Sequence, residues 1–308
     1  MLNIYQRTIC KPLSFGGRGL HSGKESNITI LPGNEDQGII FKRTDLKSKN
    51  IILANHKNVC SAKLCTTLEN EFGVKVSTVE HLLAALYISE IDNAIIEIDN
   101  EEVPIMDGSA KEFLQALEKE ETKILSKKRK YLKILNKIIL KDGEREISIE
   151  PTRQSFEVCF RLNYENKVIG KQSNKINFQI DDLKDIYESR TFCLFEDIEQ
   201  IKKSGLAKGG SLENAVVVDK GKVLNKEGLR NNKEFVNHKI LDLAGDFLLS
   251  GYRVLGYVNC YQGGHALTNK FLRKLIDSKE STSVIELKDE VISKKINHQQ
   301  LIKIAVSA

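Results

Sequence analysis

The stretch Val236-Asn237-His238-Lys239-Ile240-Leu241-Asp242-Leu243-Ala244-Gly245-Asp246 decides how the rest of the chain is read. At about 100° per residue, His238 and Asp242 lie about 40° apart on one helical face, and Asp246 follows a turn later. Ile240, Leu243, Ala244, Phe247 and Leu248 cover the opposite side, so the periodicity predicts a helix over about 234–249 with an apolar flank to bury. An imidazole and a carboxylate at i, i+4 have the types and spacing of two metal ligands. A solvated His–Asp surface pair is the better reading of this segment on its own.

Beyond this helix the sequence predicts a strand over 253–261, a Gly-Gly turn, and a further helix from about Leu267. The same order occurs nearer the N-terminus. Strands are predicted over 26–31, stopping at Pro32-Gly33, and then over 38–41 and 51–54. Ser77-Thr78-Val79-Glu80 reads as a capping box opening a helix that continues through Leu82-Leu83-Ala84-Ala85-Leu86. A strand over 93–98, a turn at 104–108 and a helix over 109–117 follow. The charged stretch 118–130 reads as a linker, after which strands resume at 131–135, 146–150 and 156–162. Strands followed by helix-strand-helix, twice over, give an α+β class with two similar layers, although no sequence repeat accompanies the pattern. Residues 191–219 read as an inserted subdomain.

Composition bounds the function classes. In 308 residues, 41% are hydrophobic and 29% charged, which suits a globular protein able to bury a core. The net charge of +5 is concentrated in Lys-rich runs such as Lys127-Lys128-Arg129-Lys130, which read as solvated faces. Basic residues are interspersed with acids and there is no Trp, so no nucleic-acid partner is expected. The N-terminus lacks a signal-peptide pattern, and no stretch approaches the roughly 18 apolar residues of a membrane span. The six cysteines form no C-x-x-C pair and read as reduced thiols, which places the protein in the cytoplasm.

A second half-site lies at Glu80-His81. His81 could supply a third ligand and Glu80 a carboxylate for general-base work, since a catalytic zinc takes three protein ligands and leaves a position open. Glu80 as a mere capping partner is the simpler reading of this segment alone, and H-E-x-x-H is absent. His265, in Gly263-Gly264-His265-Ala266, follows a strand and precedes a helix, where two glycines permit close backbone approach. His21 lies in another Gly-rich turn, while His56 and His298 have no partner pattern.

Six segments in order carry a resemblance: Gly19-Leu20-His21-Ser22-Gly23, Ser77-Thr78-Val79-Glu80-His81-Leu82, Pro104-Ile105-Met106-Asp107-Gly108-Ser109-Ala110, Ser189-Arg190-Thr191-Phe192, His238-Lys239-Ile240-Leu241-Asp242 and Gly264-His265-Ala266-Leu267. Together they resemble the UDP-3-O-acyl-N-acetylglucosamine deacetylases, from about residue 5 to about residue 275. The resemblance implies zinc-dependent hydrolysis of the N-acetyl group of UDP-3-O-(3-hydroxyacyl)-N-acetylglucosamine, the committed step of lipid A biosynthesis in Gram-negative bacteria.

It implies that His81, His238 and Asp242 hold Zn2+, although a His/His/Asp set suits Fe2+ equally in geometry. Glu80 is then the general base and His265 a positively charged acid or oxyanion partner, oriented by Asp246. Thr191 is an oxyanion-stabilising hydroxyl, Phe192 and Lys239 contact substrate, and Cys65 lies near the metal. The family fold implies two similar domains, each a sheet layered with helices, with the helices sandwiched between two outer sheets and an insertion in each domain. Here these are an N-terminal domain over 1–125 supplying Glu80 and His81, and a C-terminal domain over 126–285 supplying His238, Asp242 and His265. A tail over 286–308 follows. An acyl-binding insertion over about 192–218 would use Phe192, Leu194, Phe195, Ile198, Ile201, Leu206 and Ala207. A small-molecule UDP-linked acylated sugar is the expected partner, and a monomer the expected state. Asn237 and Gln262 depart from basic residues found at those positions in some relatives.

Overall fold

The computed structural model describes residues 2–288, so His298 and most of the expected tail lie outside the described residues. The chain is mixed α/β, with several sheets and, among the described residues, six α-helices, a composition compatible with the α+β class. The helices are α1 (Glu80–Ile88), α2 (Lys111–Lys119), α3 (Lys184–Tyr187), α4 (Phe195–Lys203), α5 (Glu234–Leu248) and α6 (His265–Asp277).

A five-stranded sheet has the order Leu13–Arg18, Glu25–Pro32, Ala94–Ile98, Ile39–Arg43, Ile51–Leu53. Its Glu25–Pro32 strand alternates as its period-two pattern predicts, burying Ser26, Ile28 and Ile30. A seven-stranded sheet centres on Arg253–Tyr261, which pairs antiparallel with Arg145–Glu150 and parallel with both Lys130–Ile134 and Phe156–Asn163. A three-stranded sheet combines Phe192–Leu194, Val216–Asp219 and Lys222–Val223 beside α4.

Two local expectations need correction. Ser77 does not cap α1: the helix begins at Glu80 with Val79 at the cap and no side-chain cap bond. Thr78 instead takes φ 56°, Ser77 bridges to Glu102, and the Ser77 hydroxyl donates to Glu101 O at 3.2 Å. The turn thus frees the Glu80 carboxylate for other work. Nor is 118–130 a linker. Thr122–Lys128 pairs antiparallel with Tyr5–Ile9, which backbone hydrogen bonding achieves while the charged side chains stay in solvent.

One cluster of buried apolar side chains runs from Ile30 and Phe41 through Leu82 and Leu243 to Val258 and Phe271. Both α1 and α5 are buried almost all round, as expected of interior helices. Each fully buried Leu, such as Leu82, Leu83 or Leu241, stabilises by about 1.5–3 kcal/mol. The two helices meet at Gly245. A Cβ there would collide with the Glu80 carbonyl oxygen and lie 2.9 Å from its carbon, so only glycine permits this approach. At the far end of α1, the Arg253 guanidinium donates to the carbonyls of Leu86, Tyr87 and Ile91. Among the described residues no helix is long and apolar enough to cross a membrane.

Candidate metal centre

The Gly245 contact sets the first turn of α1 against the middle of α5, and this brings His81, His238 and Asp242 together. All three are buried, and one ligand atom from each lies within 4.8 Å of the others. Asp242 Oδ1 is 3.3 Å from His238 Nε2 and 3.5 Å from His81 Nε2. Tetrahedral zinc with bonds near 2.0–2.1 Å requires ligand–ligand separations of about 3.3 Å. Asp242 Oδ1 and His81 Nδ1 are buried and make no hydrogen bond among the described residues. Buried polar atoms are paired as a rule, so an orphan carboxylate oxygen between two imidazole nitrogens fits a cation.

The electrostatics favour the ligand forms. Burial drives the His238 pKa down to about 3, reinforced by the charges of His81 and Lys239 and opposed by Asp242, so this imidazole is neutral at working pH. Its Nδ1 lies 3.0 Å from Ser189 O, which as a carbonyl can only accept and therefore leaves the Nε2 lone pair free. Burial would raise Asp242, but His238, Lys239 and His265 outweigh it and hold the carboxyl well below its usual range. Lys239 Nζ donates to Asp242 Oδ2 at 2.9 Å and lies 5.4 Å over the Phe192 ring.

Two further groups flank the triad. Glu80 is 3% exposed, and its Oε1 is 3.6 Å from His265 Nε2. Burial raises its pKa, against the nearby charges of His265 and His81, which makes it a stronger base than a solvated carboxylate. His265 Nδ1 lies 2.8 Å from Asp246 Oδ2. Burial alone would lower the His265 pKa, yet Asp246, Glu80 and Asp242 raise it to about 10, so the ring is a cation at neutral pH.

Thr191 and Phe192 lie on the wall of an apolar cavity of ≈ 310 Å³. Ile198, Ile201, Ala207 and Val217 also line it, and Phe195, 54% exposed, stands at its margin. Of the apolar residues expected in this segment, Leu194 packs instead against the core and Leu206 is absent from the lining. The Phe192 ring lies 6.3 Å from the His238 ring, joining the cavity to the His81–His238–Asp242 cluster. Cys65 is buried beside Glu80; burial and that charge push its thiol up to about 12, so it stays protonated. His21 borders the cavity, with Nδ1 accepting from Ala207 N at 3.3 Å. The two departures are tied up within the chain: Asn237 bonds Asn174 and Asn231, and Gln262 bonds the Asn163 backbone.

Sequence reasoning missed three supporting residues. Thr66 donates through its hydroxyl to Asp246 Oδ1 at 2.7 Å and through its N–H to Glu80 Oε2 at 3.1 Å, so it holds both flanking carboxylates. Glu102 is 1% exposed and accepts from His21 N, Ser22 N and the Thr78 hydroxyl, which locks the Gly-rich turn against the entry to α1. The backbone carbonyl of Ser189, on His238, carries no side-chain signal at all.

A family model described as UDP-3-O-acyl N-acetylglycosamine deacetylase matches residues 6–277. The chain is 42% identical over 284 residues to the UDP-3-O-acyl-N-acetylglucosamine deacetylase of Syntrophotalea carbinolica, covering 92% of this chain and 91% of that one. It is 40% identical over 284 residues to the enzyme of the same name from Geotalea uraniireducens, covering 92% of each chain. For the Shewanella frigidimarina enzyme the identity is 40% over 290 residues, covering 93% of this chain and 94% of the other.

Proposed function

The chain belongs to the UDP-3-O-acyl-N-acetylglucosamine deacetylase family, and from that premise we propose that it hydrolyses the acetamide of a UDP-linked 3-O-acylated N-acetylglucosamine, releasing acetate in lipid A biosynthesis. The observation that carries the reading is the buried His81–His238–Asp242 cluster, with Glu80 and a charged His265 against it.

His81, His238 and Asp242 are the ligands in this reading, and zinc, the family's metal, is one that their two nitrogens and one oxygen suit. A Zn2+ ion bound there supplies Lewis-acid polarisation of the acetamide carbonyl and activation of water. Glu80 takes a proton from the attacking water, for which its raised basicity and burial suit it. The His265 cation faces the developing oxyanion and is oriented by Asp246; the Thr191 hydroxyl adds a second donor. One such donor is typically worth about 3 kcal/mol in the transition state. His265 also carries a proton that the leaving amine can take, with Asp246 stabilising the cation beforehand. Phe192 and Lys239 contact the substrate, and the apolar cavity takes its acyl chain, consistent with its lining and its junction with His238.

In this reading the chain forms two layered domains, helices between outer sheets, joined through the Thr122–Lys128 strand, and the metal is shared between them. The protein works in the cytoplasm as a monomer. The test is acetate release from the UDP-linked acyl substrate by zinc-loaded protein, with and without chelator. Turnover that chelation abolishes and zinc restores is expected; no turnover by zinc-loaded protein would overturn the assignment.

A further inference from the structure

The peptide between Ser189 and Arg190 lies along one turn of α5. Its oxygen, Ser189 O, is 3.0 Å from His238 Nδ1, and its N–H donates to Glu234 Oε1 at 3.1 Å. A trans peptide points its N–H and C=O in opposite directions, and Glu234 and His238 are i and i+4, about 6 Å apart along the helix. The peptide plane is therefore strapped to α5 at both ends. The same Glu234 also receives the Arg190 side chain, Nε at 2.8 Å from Oε1 and Nη2 at 3.3 Å from Oε2, while Arg230 N donates to Oε2 at 2.6 Å. Arg190 Nη2 continues to Gly228 O at 2.7 Å, and Nη1 bonds Glu227.

The Arg190 side chain is 2% exposed and that of Glu234 is 0% exposed. Burying two charges this deeply is a poor way to gain stability, because an apolar pair of similar volume often serves as well or better. An apolar pair cannot fix the direction of a peptide plane. The next residue, Thr191, is held in register by Thr191 N to Gly108 O and Val216 N to Thr191 O, each at 2.8 Å.

We infer that the buried Arg190–Glu234 pair is a positioning device for the metal centre: it aims Ser189 O at His238 Nδ1, and so fixes His238 Nε2 toward Asp242 and His81. Neither residue belongs to the His81–His238–Asp242 cluster or to the lining of the apolar cavity, and the inference rests on reading His238 as a ligand. Outer partners of ligating histidines commonly affect metal affinity by about 10- to 100-fold.

The experiment measures the zinc dissociation constant, by competition with a chromogenic chelator, together with the metal-free melting temperature. The chains are the wild type, Glu234→Gln, Arg190→Lys, and Ile30→Ala as a destabilised control in the five-stranded sheet. Glu234→Gln is expected to weaken zinc about 10- to 100-fold. Arg190→Lys keeps the charge and the backbone N–H but loses the fork, so it falls between Glu234→Gln and the wild type. Ile30→Ala melts lower with zinc affinity unchanged. If both pair variants melt lower yet keep the wild-type zinc constant, the pair is merely structural and the inference is overturned. If Glu234→Gln does not fold, Arg190→Lys decides by the same criterion. Absence of zinc binding by the wild type would overturn the ligand reading itself, and this inference with it.

Discussion

Gly245 of α5 and the carbonyl of Glu80 are in backbone contact, and that contact fixes how far Glu80 and His81 of α1 stand from His238 and Asp242 of α5. Gly245→Ala must push the two helices apart. Overpacking of this kind costs about 1–3 kcal/mol of stability. Catalysis should suffer more, because a shift of about 1 Å in a reacting constellation can cost about 100-fold. Denaturant melts and kcat on the same variant check both figures, and wild-type kcat in a folded variant would remove the contact from the account.

Asp246→Asn separates charge from shape at His265. A neighbouring carboxylate favours the protonated ring, so its loss lowers the His265 pKa from about 10. The basic limb of kcat/KM should then move to lower pH. Linkage has the same sign: a pKa raised above the unfolded value of about 6.5 gives stability that is complete below that pH and is lost as pH rises through about 10. In metal-free wild type the His265 ring proton signals should titrate near the upper value. A basic limb that stays in place in Asp246→Asn would contradict the role given to Asp246.

Thr66→Val removes the hydroxyl donor from the buried Asp246 Oδ1 while leaving the backbone bond to Glu80. An unpaired buried acceptor costs about 1–3 kcal/mol. Stability should fall by that order, and kcat should fall with KM nearly unchanged, since Thr66 holds Asp246 and Glu80, the proposed catalytic carboxylates, and lies off the apolar cavity. Steady-state kinetics and denaturant melts read the two effects separately.

Ala215 lies on the cavity wall next to the Val216–Asp219 strand. Ala215→Leu intrudes into the space assigned to the acyl chain. KM for long-chain substrate should rise about 10-fold or more, since each methylene denied burial forgoes about 0.8 kcal/mol. Turnover of a short-acyl analogue should change little. Equal effects on both substrates would move the acyl chain elsewhere.

The periodicity of 234–248 and of the 253–261 strand was readable because a buried helix and a central strand impose their repeats locally. Residue types alone offered His81 as a third ligand beside His238 and Asp242, but the six-segment resemblance was needed to favour that pairing, since no local pattern says which helices touch. The contact that brings them together is written as a single glycine at 245. Ser77 misled because the capping signature is satisfied in sequence while Thr78, at φ 56°, turns the chain out of it. The strand over Thr122–Lys128 was hidden by its charge, since its pairing is made by backbone groups that carry no side-chain signal. Thr66 meets Asp246 across 180 positions and Arg190 meets Glu234 across 44, so neither leaves a trace in spacing.

The central claim is that one metal is held jointly by α1 and α5, with Glu80 beside it as a base and not as a ligand. The most direct measurement is the zinc content per chain of the wild type, His81→Ala, His238→Ala and Glu80→Ala, each exposed to zinc and then freed of loosely bound ion. About one zinc per chain is expected in the wild type and in Glu80→Ala, the latter releasing no acetate, and far less in both histidine variants. Full zinc content in His81→Ala or His238→Ala would contradict that claim.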